Sequence, residues 1–251
     1  MRERRFRTTA GVWVPAITAE QMREVDRVAM EEFGLGILQM MENAGRNLAE
    51  NVLDMLGAAS GQVTILAGAG GNGGGGLCCA RHLHNRGCRV RLALDRGAAA
   101  LTGAAAAQWR ILQAADLQSL TPDQVALALR QSDLTVDALI GYSLRGAPRG
   151  RAAELISLCN AHAPRVLALD VPSGLNATTG ETPGVVVRAE RTLTLALPKT
   201  GLQCVPGALY LADIGIPPEV YHRLGLSFDP PFGDCYWLRL ERDTGAQSGC
   251  G

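Results

Sequence analysis

The sequence has few aromatic residues and no excess of charge of either sign. Aromatic side chains make up 4% of the 251 residues, and 24 Lys and Arg balance 24 Asp and Glu. So few rings argue against a stacking platform for single-stranded nucleic acid. A neutral chain has no overall attraction to nucleic acid or to an anionic membrane surface. We therefore expect neither nucleic acid nor membrane as a partner.

The sequence also lacks paired cysteine motifs and long apolar runs. Its seven cysteines are odd in number and none has CxxC spacing, which argues against zinc clusters and thioredoxin-type sites. No window reaches the roughly 18 apolar residues of a membrane span. The basic residues 1–5 have no apolar run behind them, unlike a secretory signal. We therefore expect buried free thiols in a reducing, cytoplasmic environment.

From residue 62 onward, short apolar strands alternate with helical segments. Strands separated by helices predict right-handed βαβ units and a parallel sheet. Two helices precede them, the first begun by the capping box Thr18-Ala-Glu-Gln21. We interpret residues 18–228 as one α/β domain, 1–17 as a loose basic arm and 229–251 as an irregular tail. The predicted strands are 63–67, 89–94, 134–139, 166–169, 192–196 and, at the edge, 209–212.

The first predicted strand is followed by a run of glycines, Gly68-Ala-Gly-Gly-Asn-Gly-Gly-Gly-Gly76. Glycine lets a ligand approach the backbone amides closely, and the start of the next helix adds free N–H groups and a positive dipole end. We interpret the run as a cradle for phosphate or pyrophosphate, with a merely flexible turn as the alternative. No Lys-Ser or Lys-Thr follows, so it is not a P-loop.

Three further strand ends carry polar side chains. Asp137 interrupts one apolar strand end, and Asp170 ends the next strand with Ser173 three residues on. Lys199 follows another strand, as a phosphate contact or a solvated loop lysine. The carboxyl ends of parallel strands share one edge, where ligands bind, so these side chains are candidates for one pocket. The alternatives for the acids are capping or turn carboxylates that organise only their own backbone.

Oxygen donors at these strand ends suit a hard cation. Asn72, Asp137 and Ser173 offer amide, carboxylate and hydroxyl oxygens. With backbone carbonyls they suit a monovalent cation or magnesium, and zinc is not expected. Arg145 and Arg149, which follow Asp137 in the chain, are available for phosphate.

A series of short motifs runs in order from about residue 17 to residue 217. Besides the glycine run, they are Leu38-Gln-Met-Met-Glu-Asn-Ala-Gly45, Val136-Asp-Ala-Leu-Ile-Gly141, Asp170-Val-Pro-Ser-Gly-Leu175, Pro198-Lys-Thr-Gly-Leu202 and Asp213-Ile-Gly-Ile-Pro217. Each motif alone is weak, but the ordered series is specific. In this order the motifs resemble the NAD(P)H-hydrate epimerase family, also called the YjeF N-terminal domain family.

The resemblance implies a Rossmann-like three-layer αβα sandwich with a mostly parallel central sheet, usually as a homodimer. It implies an isomerase of nicotinamide nucleotide repair that interconverts the R and S epimers of hydrated NADH and NADPH, so that a separate dehydratase can restore the cofactor. It also implies a potassium ion held by Asn72, Asp137 and Ser173. Asp170 is the candidate catalytic residue, because loss and return of the hydroxyl need a proton donor and acceptor nearby. The implied substrate contacts are Gly71, Asn72, Gly73, Gly74, Gly75, Gly141, Tyr142, Ser143, Leu144, Arg145, Gly146, Ala147, Asp170 and Lys199.

Three positions depart from the family's pattern. Gly71 and Gly75 stand where the family has Asn and Asp, and Asn176 stands where Asp is common. Each lost hydrogen bond to a ligand costs about 1–3 kcal/mol, enough to weaken substrate binding tenfold or more. The alternative function is therefore a catalytically weakened nucleotide-binding or dimerisation protein of the same fold. The helix face near Met40 and Met41 is either a dimer surface or packed on the chain's own sheet.

Overall fold

A nine-stranded sheet forms the centre of residues 5–242, the part of the chain that this computed structural model describes. Its strands are β1 (Arg5–Thr8), β2 (Trp13–Pro15), β3 (Gln62–Ala67), β4 (Arg89–Leu94), β5 (Leu134–Ala138), β6 (Val166–Leu169), β7 (Arg191–Leu195), β8 (Ala208–Ala212) and β9 (Trp237–Arg242). The order across the sheet is β2-β1-β9-β8-β7-β6-β5-β3-β4. The strands from β3 to β8 pair in parallel, and β1, β2 and β9 pair antiparallel. The sheet is therefore mostly parallel, as predicted.

Helices cover both faces of this sheet. They are α1 (Ala19–Arg27), α2 (Ile37–Leu56), α3 (Gly71–His84), α4 (Gly103–Ala114), α5 (Val125–Gln131), α6 (Gly150–His162) and α7 (Pro218–Arg223). The central helix α3 packs between α2 and α4, whereas α5 packs with α6. Within β3, Ile65 belongs to one buried apolar cluster and Leu66 to the other, since successive strand residues point to opposite faces. The three-layer αβα fold is confirmed.

The first helix begins and ends as local sequence signals indicate. The Thr18 hydroxyl accepts a hydrogen bond from the Gln21 backbone N–H, and the Gln21 side chain accepts one from the Thr18 N–H. This reciprocal capping box satisfies two N–H groups that would otherwise lack partners. After Arg27 the helix widens into a π-helical turn over residues 28–32. Such turns are frequent at functional sites.

The loose arm and irregular tail are wrong predictions for the described residues. β1 and β2 form a hairpin within the predicted arm, and β9 lies within the predicted tail. β9 pairs between β1 and β8, so β8 is not the edge strand. β1 and β2 contain only four and three residues, too few to show a clear period in the sequence. The predictions for residues 1–4 and 243–251 lie outside the described residues.

Side chains whose location the sequence left open are largely buried. Met40 and Met41 lie in the chain's own core. Of the two predicted locations, a dimer surface or the chain's own packing, the second is therefore correct for these two residues. Buried free thiols were also predicted, and the structure has them at Cys78, Cys79, Cys88 and Cys159. The prediction is wrong for Cys235, which is free but exposed, and for Cys204, which is disulfide-bonded. Cys250 lies outside the described residues. None of the helices between residues 5 and 242 is long and apolar enough to cross a bilayer.

Candidate active site

A cavity of about 180 Å³ opens at the carboxyl ends of the parallel strands. The segments after β3, β5, β6, β7 and β8 form its wall, together with α1 and the start of α2. Strand order reverses between β3 and β5, which is where ligands bind in sheets of this kind. Pockets for drug-sized ligands measure about 300–1,000 Å³, so this cavity has room for a single ring-sized group. The wall residues are Met22, Asp26, Ile37, Met41, Gly71, Asn72, Gly141, Tyr142, Ser143, Asp170, Leu195, Lys199 and Ile214.

Asp170 lies on the cavity wall directly after β6, with both carboxylate oxygens engaged. Its φ of 68° is a left-handed conformation that aspartate tolerates better than most residues. The Lys199 Nζ lies 2.5 Å from Oδ1, and the Tyr142 backbone N–H donates to Oδ2 over 2.9 Å. The side chain is therefore an oriented acceptor on both oxygens.

Lys199 is a buried partner of Asp170. The residue is 0% exposed, and its ammonium also donates to the Leu195 carbonyl over 2.8 Å. A charged group stays buried in this way only when it is paired and hydrogen-bonded. The interpretation as a solvated loop lysine is wrong. The ammonium orients the Asp170 carboxylate, and its contact with a substrate phosphate stays a prediction.

Asp137 and Ser173 form a buried hydrogen-bonded pair behind the cavity wall. The Ser173 hydroxyl donates to Asp137 Oδ1 over 2.6 Å, and the Ser173 N–H donates to Oδ2 over 2.8 Å. The Ile140 N–H donates to the Ser173 hydroxyl. Burial raises the pKa of Asp137 to about 6, and these hydrogen bonds only partly oppose the rise. Within residues 5–242 no ion pair includes Asp137, so a cation would supply the counter-charge that a buried carboxylate needs.

Asn72 joins the cavity from the first turn of α3. A Cβ at Gly141 would lie 3.1 Å from Asn72 Oδ1 and 3.0 Å from Asp170 Oδ2, so glycine there lets these side chains approach the backbone. The Asn72 Nδ2 is buried and has no hydrogen-bond partner in the part of the chain that the structure describes. Buried polar atoms are nearly always paired, and an unpaired one at a cavity is suited to a ligand.

The glycine run is mostly helical, which corrects the predicted loop. α3 begins at Gly71, and Gly73–Gly76 are buried in its first two turns. A Cβ at Gly76 would lie 2.5 Å from the Ala138 Cβ, so glycine is required by the close packing of α3 on β5. This packing overrides the poor helix propensity of glycine. Of the glycines in this run that were predicted to contact substrate, Gly71 lines the cavity, whereas Gly73, Gly74 and Gly75 do not.

The loop after β5 lines the cavity only over its first part. Gly141, Tyr142 and Ser143 are on the wall, but residues 144–147 are not. Arg145 and Arg149 are exposed. Contacts of Leu144, Arg145, Gly146 and Ala147 with a ligand that extends beyond the cavity stay predictions.

The three departures from the family's pattern lie in different surroundings. The Oδ1 of Asn176 accepts from the Thr178 and Thr179 N–H groups, an acceptor role that aspartate and asparagine share. A Cβ at Gly75 would meet the Leu169 side chain at 2.9 Å, in apolar surroundings. A Cβ at Gly71 would meet no atom within 4 Å. Only Gly71, at the wall, leaves open space where a side chain would fit.

Sequence reasoning missed the wall that the N-terminal helices contribute. Asp26 of α1 lines the cavity, and its Oδ2 accepts from the Tyr142 hydroxyl over 2.6 Å. Burial raises the pKa of Asp26, and the hydrogen bond from Tyr142 opposes the rise. A signal did exist: Asp26 stands four residues after Met22, which places a carboxyl on the apolar face of the helix. The other missed wall residues are Met22, Ile37, Met41, Leu195 and Ile214.

With helices on both faces of a mostly parallel sheet and a polar cavity at the strand ends, the chain falls in the class of Rossmann-like α/β ligand-binding proteins. The family model described as YjeF-related protein N-terminus matches residues 37–201, and the chain belongs to this family.

Related proteins match along most of the chain. An NAD(P)H-hydrate epimerase of Dehalogenimonas lykanthroporepellens is 50% identical over 242 residues, covering 94% of this chain and 97% of that protein. One of Rhodopirellula baltica is 36% identical over 220 residues, covering 85% and 89%. The bifunctional NAD(P)H-hydrate repair enzyme Nnr of Hyperthermus butylicus is 40% identical over 219 residues, covering 84% of this chain and 40% of that enzyme. The crystal structure of yeast YNL200c shares the fold, with a TM-score of 0.77 and 21% identity over 90% of this chain and 100% of that one.

Proposed function

We propose that this chain is an NAD(P)H-hydrate epimerase, an isomerase that interconverts the R and S epimers of hydrated NADH and NADPH. The names of its relatives from Dehalogenimonas and Rhodopirellula support the proposal, because both align along most of their length. The structural observation that carries it is Asp170, which is held by buried Lys199 at the wall of a ring-sized cavity. Such a site presents the oriented carboxylate of Asp170 to one reacting ring.

The residues at the cavity wall would provide proton transfer and positioning for this reaction. Epimerisation needs the hydroxyl to leave the ring carbon and to return on the other face, so protons must be given and taken at the oxygen. Asp170 is the residue that we assign to proton transfer at that oxygen. Lys199 and the Tyr142 N–H hold its carboxylate in one orientation, which is the main contribution that positioning residues make. The N-terminus of α3 at Gly71 is suited to the substrate's phosphates.

The oxygen donors near the cavity fit the potassium ion that the family resemblance implies. Asp137 is a buried carboxylate that has no ion-pair partner among residues 5–242. The Ser173 hydroxyl donates a hydrogen bond to it. Asn72 adds an amide oxygen at the wall. Hard oxygen ligands of this kind suit such a cation and are poor ligands for soft metals. Asn72, Asp137 and Ser173 would hold the ion, which would supply a fixed positive charge beside the site.

We also propose that the chain acts with a separate NAD(P)H-hydrate dehydratase in the cytoplasm. The chain spans 40% of the bifunctional repair enzyme of Hyperthermus, so a second activity has room in that relative beyond the matched part. The free thiols buried at Cys78, Cys79, Cys88 and Cys159 are compatible with a reducing compartment, whereas the disulfide of Cys204 is not typical of one. A homodimer is supported by exposed apolar side chains around the start of α2: Met30, Phe33, Ile37 and Leu38.

The second candidate function is a nucleotide-binding or dimerisation protein of the same fold that has lost turnover. Gly75 favours it, because the site lacks the aspartate that the family resemblance places there. Leu169 approaches the space that such a side chain would occupy. The retained Asp170–Lys199 pair favours the epimerase, since a buried ion pair is seldom stabilising enough to be kept for the fold alone.

A coupled assay separates the two functions. Mixed epimers of hydrated NADH are treated with a dehydratase that consumes one epimer, with or without this protein and potassium. An epimerase lets the reaction run to completion much faster than spontaneous epimerisation allows. A scaffold leaves the second epimer to decay at its spontaneous rate, which would contradict the proposed function.

A further inference from the structure

Two carboxyl groups line the cavity, and their partners differ in kind. Asp170 accepts from an ammonium on one oxygen and from a backbone N–H on the other. Among residues 5–242, the only hydrogen-bond donor to Asp26 is the neutral hydroxyl of Tyr142. Within residues 5–242 no ion pair includes Asp26. Asp170 is thus arranged as a proton acceptor, whereas nothing basic is bonded to Asp26 to keep it ionised.

The surroundings of Asp26 favour its protonated form. Burial raises its pKa, and the nearby charge of Asp170 raises it further, while the Tyr142 hydrogen bond and the Lys199 charge act in the opposite direction. The titratable groups around the cavity that act on the Asp26 carboxyl are Tyr142, Lys199 and Asp170. The charge of Asp26 in turn helps to raise the pKa of Tyr221. General acids gain from a pKa that burial has raised toward the working pH.

Contacts at the start of α1 fix the position of Asp26 at the cavity. Before α1, the Ile17 N–H donates to the Pro198 carbonyl and the Ile17 carbonyl accepts from the Thr200 N–H, each over 2.9 Å. The Ala19 N–H donates to the Thr178 hydroxyl. After Arg27 the helix widens into its π-helical turn. α1 is therefore tied to the segment that carries Lys199, which holds Asp26 at a set position relative to Asp170.

We propose that Asp26 is the general acid of the epimerisation, with Tyr142 as its positioning residue and Asp170 as the opposing base. The inference rests on the proposed function. Asp26 gives its proton to the ring hydroxyl, the carbon–oxygen bond breaks, and its electron pair leaves on water. Water then adds to the other face of the ring cation and gives a proton to Asp170, and the protons of the two carboxyl groups re-equilibrate through solvent. No oxidant or reductant is needed.

The test compares Asp26→Asn, Tyr142→Phe and the matched control Glu24→Gln, a surface acid on the same helix. Rates of conversion of one purified epimer are measured against pH, with potassium present and the spontaneous rate subtracted. We expect Asp26→Asn to lower kcat by about 10²- to 10⁴-fold with little change in KM. The control keeps the wild-type rate.

The pH profile distinguishes a proton donor from a structural acid. In wild type, kcat falls as pH rises through the pKa of the acid, and Asp26→Asn removes this alkaline limb. Tyr142→Phe removes a hydrogen bond that favours the carboxylate, so the limb moves to higher pH. The Tyr142 variant keeps the test decisive if Asp26→Asn does not fold. An active wild type with an unmoved limb in Tyr142→Phe, or with near-normal kcat in Asp26→Asn, overturns the role of Asp26 alone. A wild type that does not exceed the spontaneous rate overturns the proposed function as well.

Discussion

The ammonium nitrogen of Lys199 lies 2.5 Å from Asp170 Oδ1, and both side chains are almost completely buried. The two residues follow adjacent strands, β7 and β6, whose carboxyl ends meet at the cavity. Each charge is the other's main compensation, because burial removes the solvent that would otherwise stabilise them. The pair therefore links the stability of the sheet edge to the orientation of the proposed catalytic carboxylate.

Removing one member of this pair is expected to destabilise the fold. Lys199→Met leaves a buried carboxylate unpaired and should lower the free energy of unfolding by about 3–5 kcal/mol. The double variant Asp170→Asn with Lys199→Met leaves neither charge and should lose less than the sum of the single losses, by about 1–3 kcal/mol. Urea unfolding of the four proteins measures the cycle. Strict additivity would show that the two charges do not interact.

Asp170→Asn is expected to lower kcat by about 10²- to 10⁴-fold, because the amide cannot take a proton at the position of the carboxylate. The isosteric side chain keeps an acceptor for Lys199, so the protein should remain folded. Steady-state kinetics, with circular dichroism as the control of folding, provide the check. A rate within a few-fold of wild type would remove Asp170 from catalysis.

Potassium is expected to stabilise the protein through Asp137, and the effect should grow with pH. Burial raises the folded-state pKa of Asp137 to about 6 from an ordinary 3.8. The folded state therefore favours protonated Asp137, and this contribution to the free energy of unfolding is present below about pH 4 and lost as pH rises through about 6. The loss is about 3 kcal/mol, since each pH unit between the two pKa values corresponds to about 1.4 kcal/mol. A bound cation compensates the buried carboxylate charge that is present above that window. Melting temperatures should therefore rise more in KCl than in tetramethylammonium chloride at pH 7.5, and less so at pH 5.

The variant Asp137→Asn is the control for this site. It lacks the carboxylate, so neither the pH-dependent loss nor the potassium-specific gain should occur. Equal stabilisation of wild type and variant by KCl would place the ion elsewhere or show a general salt effect.

Two glycines of α3 are expected to respond in opposite ways to alanine. Gly76→Ala puts a methyl group where the Ala138 Cβ is only 2.5 Å away, and should cost about 1–3 kcal/mol of unfolding free energy. Gly71→Ala meets no atom within 4 Å and should be neutral or stabilising by up to about 1 kcal/mol. Chemical denaturation measures both. Equal losses would contradict the packing role assigned to Gly76.

The sequence predicts the parallel strands because each is a buried apolar run between helix signals. It also predicts that Asp137, Asp170 and Ser173 stand at one edge, since the carboxyl ends of parallel strands meet there. It could not predict the burial of Lys199, because that depends on a partner nearly thirty residues away in the chain. The helical glycines were likewise hidden, because their reason is the approach of Ala138.

The N-terminal contributions were the hardest to predict. β1 and β2 contain four and three residues, too few for a two-residue period to stand out. Asp26 lies within a helix, whereas the rule for parallel sheets points only to residues at strand ends. A carboxyl group on the apolar face of α1 was nevertheless visible in the spacing from Met22, and that signal applies to other sequences.

The central claim is that the cavity equilibrates two epimers of one ring. It is tested most directly by incubating one purified epimer of hydrated NADH with the protein in potassium buffer and resolving the two epimers chromatographically over time. The account predicts that catalytic amounts of protein bring the sample to the equilibrium mixture well before the spontaneous reaction does. A composition that changes only at the spontaneous rate, at every protein concentration, would contradict it.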